Sequence, residues 1–160
     1  RTPSFFEAKE KIVVRQTGDR IIATVIGKDI ICRDNLYIII AQQRNHKFLL
    51  GVLNSKLANF CYYQINPERG EVLAQVKKTH VEQMLIPKIS NATQQTLHDE
   101  IVKLVEQLLA AQPKARAALS DSDKNFHERF IASLEQRINQ AVYQIYGLTA
   151  DEIALIEAAA

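Results

Sequence analysis

In the first forty residues the apolar positions fall in short runs rich in valine, isoleucine and tyrosine: KIVVRQ (11–16), RIIATVI (20–26) and LYIIIAQ (36–42). β-Branched and aromatic residues in runs of this length predict strands. TGD and GKDIICRDN between them carry glycine and aspartate turn signals, so the reading is a meander whose first connection, Gln16 to Arg20 around Gly18, closes a hairpin. The spacing then changes. Leu49, Leu50, Val52 and Leu53 predict a short helix from near His46, with Asn54 ending it in the left-handed conformation. Ser55 caps a second helix carrying Leu57, Phe60, Cys61 and Gln64. INPERGE (65–71) reads as a loop on Pro67 and Gly70, and EVLAQVKK as a fourth strand. Thr79 and Glu82 match a capping box opening one helical turn, and MLIPKI leaves it extended ahead of Pro87.

Beyond SNAT the helical period is sustained. Leu97, Ile101, Leu104, Leu108, Ala111 and Ala115 form one seam, and Phe126, Phe130, Leu134, Ile138, Ala141 and Ile145 a second, separated by LSDSD. Two seams joined by a turn predict an antiparallel hairpin. Pro113 is expected to kink or end its first helix, and Gly147 to sit at the C′ position of its second. Thr149 and Glu152 then make a capping box for a third helix, with Leu148 and Ile153 as its staple. The expected fold is α+β: a twisted β-sheet unit with short covering helices over residues 1–90, then a long antiparallel helical hairpin and a short C-terminal helix over 91–160.

Charge sharpens that division. Residues 1–90 hold 14 Lys and Arg against 8 Asp and Glu, a balance of +6, whereas 91–160 hold 6 against 10, a balance of −4. An anionic partner is expected to meet the first half. No apolar stretch approaches the ~20 residues that span a bilayer, and RTPSFFEAKEK lacks a signal peptide's apolar core. The expectation is a cytoplasmic protein with no membrane partner. The start at Arg1 without methionine suggests a piece of a longer chain. Cys32 and Cys61 are expected to be buried free thiols.

The residue types that carry chemistry are dispersed. His46, His80, His98 and His127 lie too far apart for a metal-ligand motif, and the five glycines stand singly rather than in a phosphate-binding loop. No GxSxG elbow occurs, and INPERG has Glu68 and Arg69 where an Asn-Pro-Pro-aromatic methyltransferase tetrapeptide has its second proline and its aromatic. Catalytic and metal-binding residues are therefore not expected. The cations instead crowd strand ends and loops: Arg15, Arg20, Lys28, Arg33, Arg44, Lys47, Arg69, Lys77 and Lys78, with Lys56 beside a helix cap. Asn45, Gln42 and Gln43 add amides suited to adenine edges. Phosphates reward such placement through counterion release, and arginine can bond guanine bidentately. Tyr62 and Tyr63 read as core and rim.

FFEAKEKIVVRQTGDRIIATVI, DNLYIII, KFLLGVLNSKLANFCYY and HVEQMLIPKI followed by paired long helices resemble the C-terminal specificity (target recognition) domain of type II restriction-modification proteins, whose other half is an adenine-specific DNA methyltransferase. They are also similar to the target recognition domains of type I specificity subunits. The resemblance covers nearly the whole chain. It implies a sheet-and-loop unit that reads double-stranded DNA, helices that act as spacers or docking arms, and methyltransferase or endonuclease domains of the same parent chain as partners. S-adenosylmethionine is implied for the parent's methyltransferase domain and no cofactor for this piece, which is not expected to be an enzyme by itself. An alternative is a protein-interaction or oligomerisation module in which the hairpin docks another chain.

Overall fold

A computed structural model describes residues 7–159 except 42, 67 and 69. Strands β1 (Glu10–Arg15), β2 (Ala23–Gly27) and β3 (Leu36–Ile39) form an antiparallel sheet in the order β2-β1-β3. The meander is thereby corrected: β3 pairs with β1, with Arg15 opposite Leu36 and Ile12 opposite Ile39. β1 takes the centre because four consecutive residues, Lys11 to Val14, are buried, so both of its faces are covered. β2 ends beside Glu10 and β3 starts beside Arg15, so the connection 28–35 runs back along the length of β1.

Helices α1 (His46–Leu53) and α2 (Lys56–Ile65) follow, each started by a side-chain cap. Asn45 Oδ1 accepts from the N–H groups of Lys47 and Phe48, and Ser55 Oγ from that of Ala58 at 3.1 Å. Phe48 to Leu53 of α1 are all buried, as expected of a helix apolar on every side. It lies between the sheet and the helical hairpin formed by α4 (Ala92–Ala117) and α5 (Asp121–Tyr146). Gly51 permits the crossing: a Cβ there would meet Ile101 Cγ2 at 2.7 Å and Val105 Cγ2 at 3.0 Å. One continuous core results, with Ile12, Val14, Leu50, Ile101, Leu104 and Ile138 among its members.

Helix α6 (Ala150–Ala159) begins at the expected capping box: Thr149 N–H donates to Glu152 Oε2 at 2.7 Å and Glu152 N–H to Thr149 Oγ1 at 3.3 Å. Gly147 ends α5 at φ 70°, with Leu148 N–H bonded to the Tyr143 carbonyl. Pro113 does not end α4, which continues to Ala117. The seams lose burial towards the turn between them, where Ala111 is still buried but Phe126 is 67 % exposed and Phe130 44 %, with no third layer over them among the described residues.

Three further local expectations are corrected. Asn54 ends α1 right-handed, at φ −86°, because its amide is bonded to β2 instead. EVLAQVKK is no strand: residues 71–74 form a turn, and a single bridge joins Gln75 to Thr17. The helical turn α3 (Lys78–Val81) starts after Lys77 without a side-chain cap, which places Thr79 inside it. Cys32 is buried but Cys61 is exposed, and the two do not form a disulfide.

Candidate nucleic-acid interface

At the Arg15 end of the sheet, three segments distant in sequence are bonded together. Gln16 N–H donates to the Asn35 carbonyl (3.1 Å), Gly18 N–H to that of Ala74 (2.9 Å), and Val76 N–H to that of Gln16 (2.7 Å). Gly18 is required twice over: its φ is +129°, and a Cβ there would lie 2.8 Å from Arg15 Nη2, so the guanidinium folds across the bare backbone.

The arm from Asp19 to Ala23 has no strand beyond it, so asparagine amides stand in for one. Ala23 is bonded at both its N–H and its carbonyl by Asn54 (2.9 and 3.0 Å). Ile21 N–H donates to Asn59 Oδ1 at 2.8 Å, and Asn66 Nδ2 donates to the Asp19 carbonyl at 3.2 Å. Side-chain amides can do this because each carries both a donor and an acceptor, as a peptide group does. These three asparagines were missing from the residues picked out by charge. The signal was available in LNSKLANFCYYQIN, where polar amides interrupt a buried helical pair.

The structure brings Arg15, Arg20, Arg33 and Lys77 to this end of the sheet, on segments joined by the bonds above. Arg69 lies outside the described residues. Lys28 follows β2 at the opposite end, and Arg44, Asn45 and Lys47 follow β3 there. Lys56, at the start of α2, is turned to the helical hairpin and α6: Asn139 Oδ1 accepts its N–H at 2.8 Å and its ammonium pairs with Glu157. Arg15, Arg20, Lys28 and Arg33 are exposed.

Most of the lysines among these residues have local carboxylate partners. Lys47 pairs with Glu106 at 2.8 Å, Lys77 with Glu68 at 2.6 Å, Lys78 with Glu82 at 3.2 Å, and Lys56 with Glu157. Donating a hydrogen bond to Glu106 raises the Lys47 pKa, and donating one to Glu68 raises that of Lys77. Glu68 is held below the usual carboxylate range by Lys77 and then by Gln75 N–H, which donates to it at 2.9 Å. Arg44 Nη1 reaches the Pro87 carbonyl at 3.4 Å, and Asn45 is the α1 cap.

Among the described residues no group of three or more His, Cys, Asp and Glu is placed to hold a metal ion, and no helix is long and apolar enough to cross a membrane.

A three-stranded antiparallel sheet with short helices over it and a helical hairpin behind it is an α+β architecture. The family model of the TaqI-like C-terminal specificity domain matches residues 1–87, more than half of the chain. The chain belongs to that family. A comparison with curated proteins gave no match.

Proposed function

We propose that the chain is the sequence-reading module of a restriction-modification methyltransferase, binding double-stranded DNA and positioning separate catalytic domains on the target. The family match supports this reading, and the single structural observation that carries it is the set of exposed arginines, Arg15, Arg20 and Arg33, on turns tied together at one end of the sheet. Loops held on a rigid scaffold are the usual carriers of binding residues. In this proposal residues 1–90 are the recognition unit and 91–160 the spacer. Methyl transfer from S-adenosylmethionine belongs to another domain of a cytoplasmic parent, and this module alone catalyses nothing. Arg15 and Arg33 read bases, while Lys77 and Lys78 exchange their carboxylate partners for phosphate.

Fluorescence anisotropy of the chain with duplex DNA tests it. Affinity falls steeply between about 50 and 200 mM salt if phosphates are neutralised. Arg15→Ala or Arg33→Ala relaxes sequence preference at a cost of ~1–3 kcal/mol, whereas Lys77→Ala weakens all duplexes alike. Salt-independent binding, or none even with the parent's catalytic domains attached, refutes the reading.

A second reading, docking of another chain through the hairpin, is favoured by Leu119, Phe126 and Phe130, which are exposed together on its distal half. Light scattering that shows a monomer at all concentrations removes its self-association form.

A further inference from the structure

Residues 71–74 form a β-turn closed by Ala74 N–H donating to the Glu71 carbonyl at 3.2 Å, which puts Val72 and Leu73 at its two corners. Corners of this kind are ordinarily glycine, proline, asparagine or aspartate. Here they are two aliphatic side chains, Val72 100 % and Leu73 86 % exposed, while the next apolar residues, Ala74 and Val76, are buried. The corner is also anchored. The Ala74 carbonyl accepts from Gly18, Gln75 N–H is bonded to Glu68, and Val76 N–H to Gln16. Gly18 in turn lies under the Arg15 guanidinium, two residues before Arg20.

Two greasy side chains are thus held out in water on a fixed mount. Preorganisation of this sort lowers the ordering cost of binding. Arg15 and Arg20 share this end of the sheet with Glu71, Glu68 and Asp19, so the DNA-reading function proposed above, rather than net charge, makes a duplex the occupant. A duplex offers apolar targets in thymine methyl groups and in base steps that aliphatic side chains can enter. We propose that the Val72–Leu73 corner is an apolar wedge that packs against base edges of double-stranded DNA while Arg20 holds a flanking phosphate. The inference rests on the DNA-reading function proposed above.

The test uses the 160-residue chain and a randomised duplex library, from which wild-type protein selects its preferred sequence. Anisotropy then compares wild type, the double variant Val72→Ser/Leu73→Ser, and Arg20→Ala on the selected and on a random duplex. Both wedge side chains stand in solvent, so the serine variant keeps the wild-type melting temperature. It is expected to lose about tenfold, ~1.4 kcal/mol, on the selected duplex and nothing on the random one. The arginine variant loses affinity on both. Wild-type affinity of the serine variant for the selected duplex overturns the wedge alone, and so does an equal loss on both duplexes. A wild-type chain that selects no sequence, alone or with the parent's catalytic domains attached, overturns the DNA-reading function and the wedge with it. Unchanged DNA binding with weakened association to a parent catalytic domain assigns the corner to a protein partner instead.

Discussion

Where α1 crosses the hairpin, carbon meets carbon: Gly51 brings the helix onto Ile101 and Val105, and only a hydrogen fits between them. At the Arg15 end of the sheet the chain is held by amides instead, through Asn54, Asn59 and Asn66 bonding the backbone of residues 19–23. The first region gains its stability from close packing, and the second from polar groups that leave the exposed arginines uncovered. That difference suits a binding module, since packing fixes the scaffold and directional bonds fix the loops without hiding the side chains that meet a ligand.

The packed region is the easier to break. Gly51→Val forces β-branched carbons into Ile101 and Val105, which are themselves stiff at χ1, and is expected to destabilise by about 3 kcal/mol in urea unfolding, the upper end for overpacking. The amide-held arm responds less. Asn59→Ala leaves the N–H of buried Ile21 without its partner and is expected to cost about 1–2 kcal/mol, with faster amide hydrogen exchange confined to residues 19–23.

The smallest effect is electrostatic. Glu157 is held below its ordinary pKa of 4.5 by Lys56 first and by the Tyr143 hydroxyl second. Its lowered folded-state pKa means that the carboxylate contributes stability above pH 4.5, and that this is lost as pH falls through the depressed value. Urea midpoints measured from pH 6 to pH 3 are expected to fall slightly less in Glu157→Gln than in wild type. Solvent exposure of both partners keeps the difference small.

What could be read from the sequence is what depends on near neighbours. Ser55, Gly147 and the Thr149–Glu152 box act within four residues of themselves, so their residue types announce them. The family pattern in the first 87 residues was legible for the same reason, as short ordered runs. Sheet order was not: β2 and β3 are similar apolar runs, and nothing in either states which neighbour it pairs with. EVLAQVKK has the apolar content of a strand, yet its partner chain turns away at Gly18, leaving one bridge and an exposed corner at Val72. Lys47, Lys56 and Lys77 looked like ligand cations because their carboxylates lie 59, 101 and 9 positions away, and for the first two only the fold brings the partners together.

The central place of β1 carries one more consequence. Each edge strand has β1 as its strand partner, so residues 28–34 can be lengthened or swapped without unpicking a ladder pair, provided the Asn35 carbonyl still meets Gln16 N–H. Such a sheet works as a chuck that grips interchangeable bits: new recognition chemistry can be grafted onto its connections while the frame beneath stays as it is.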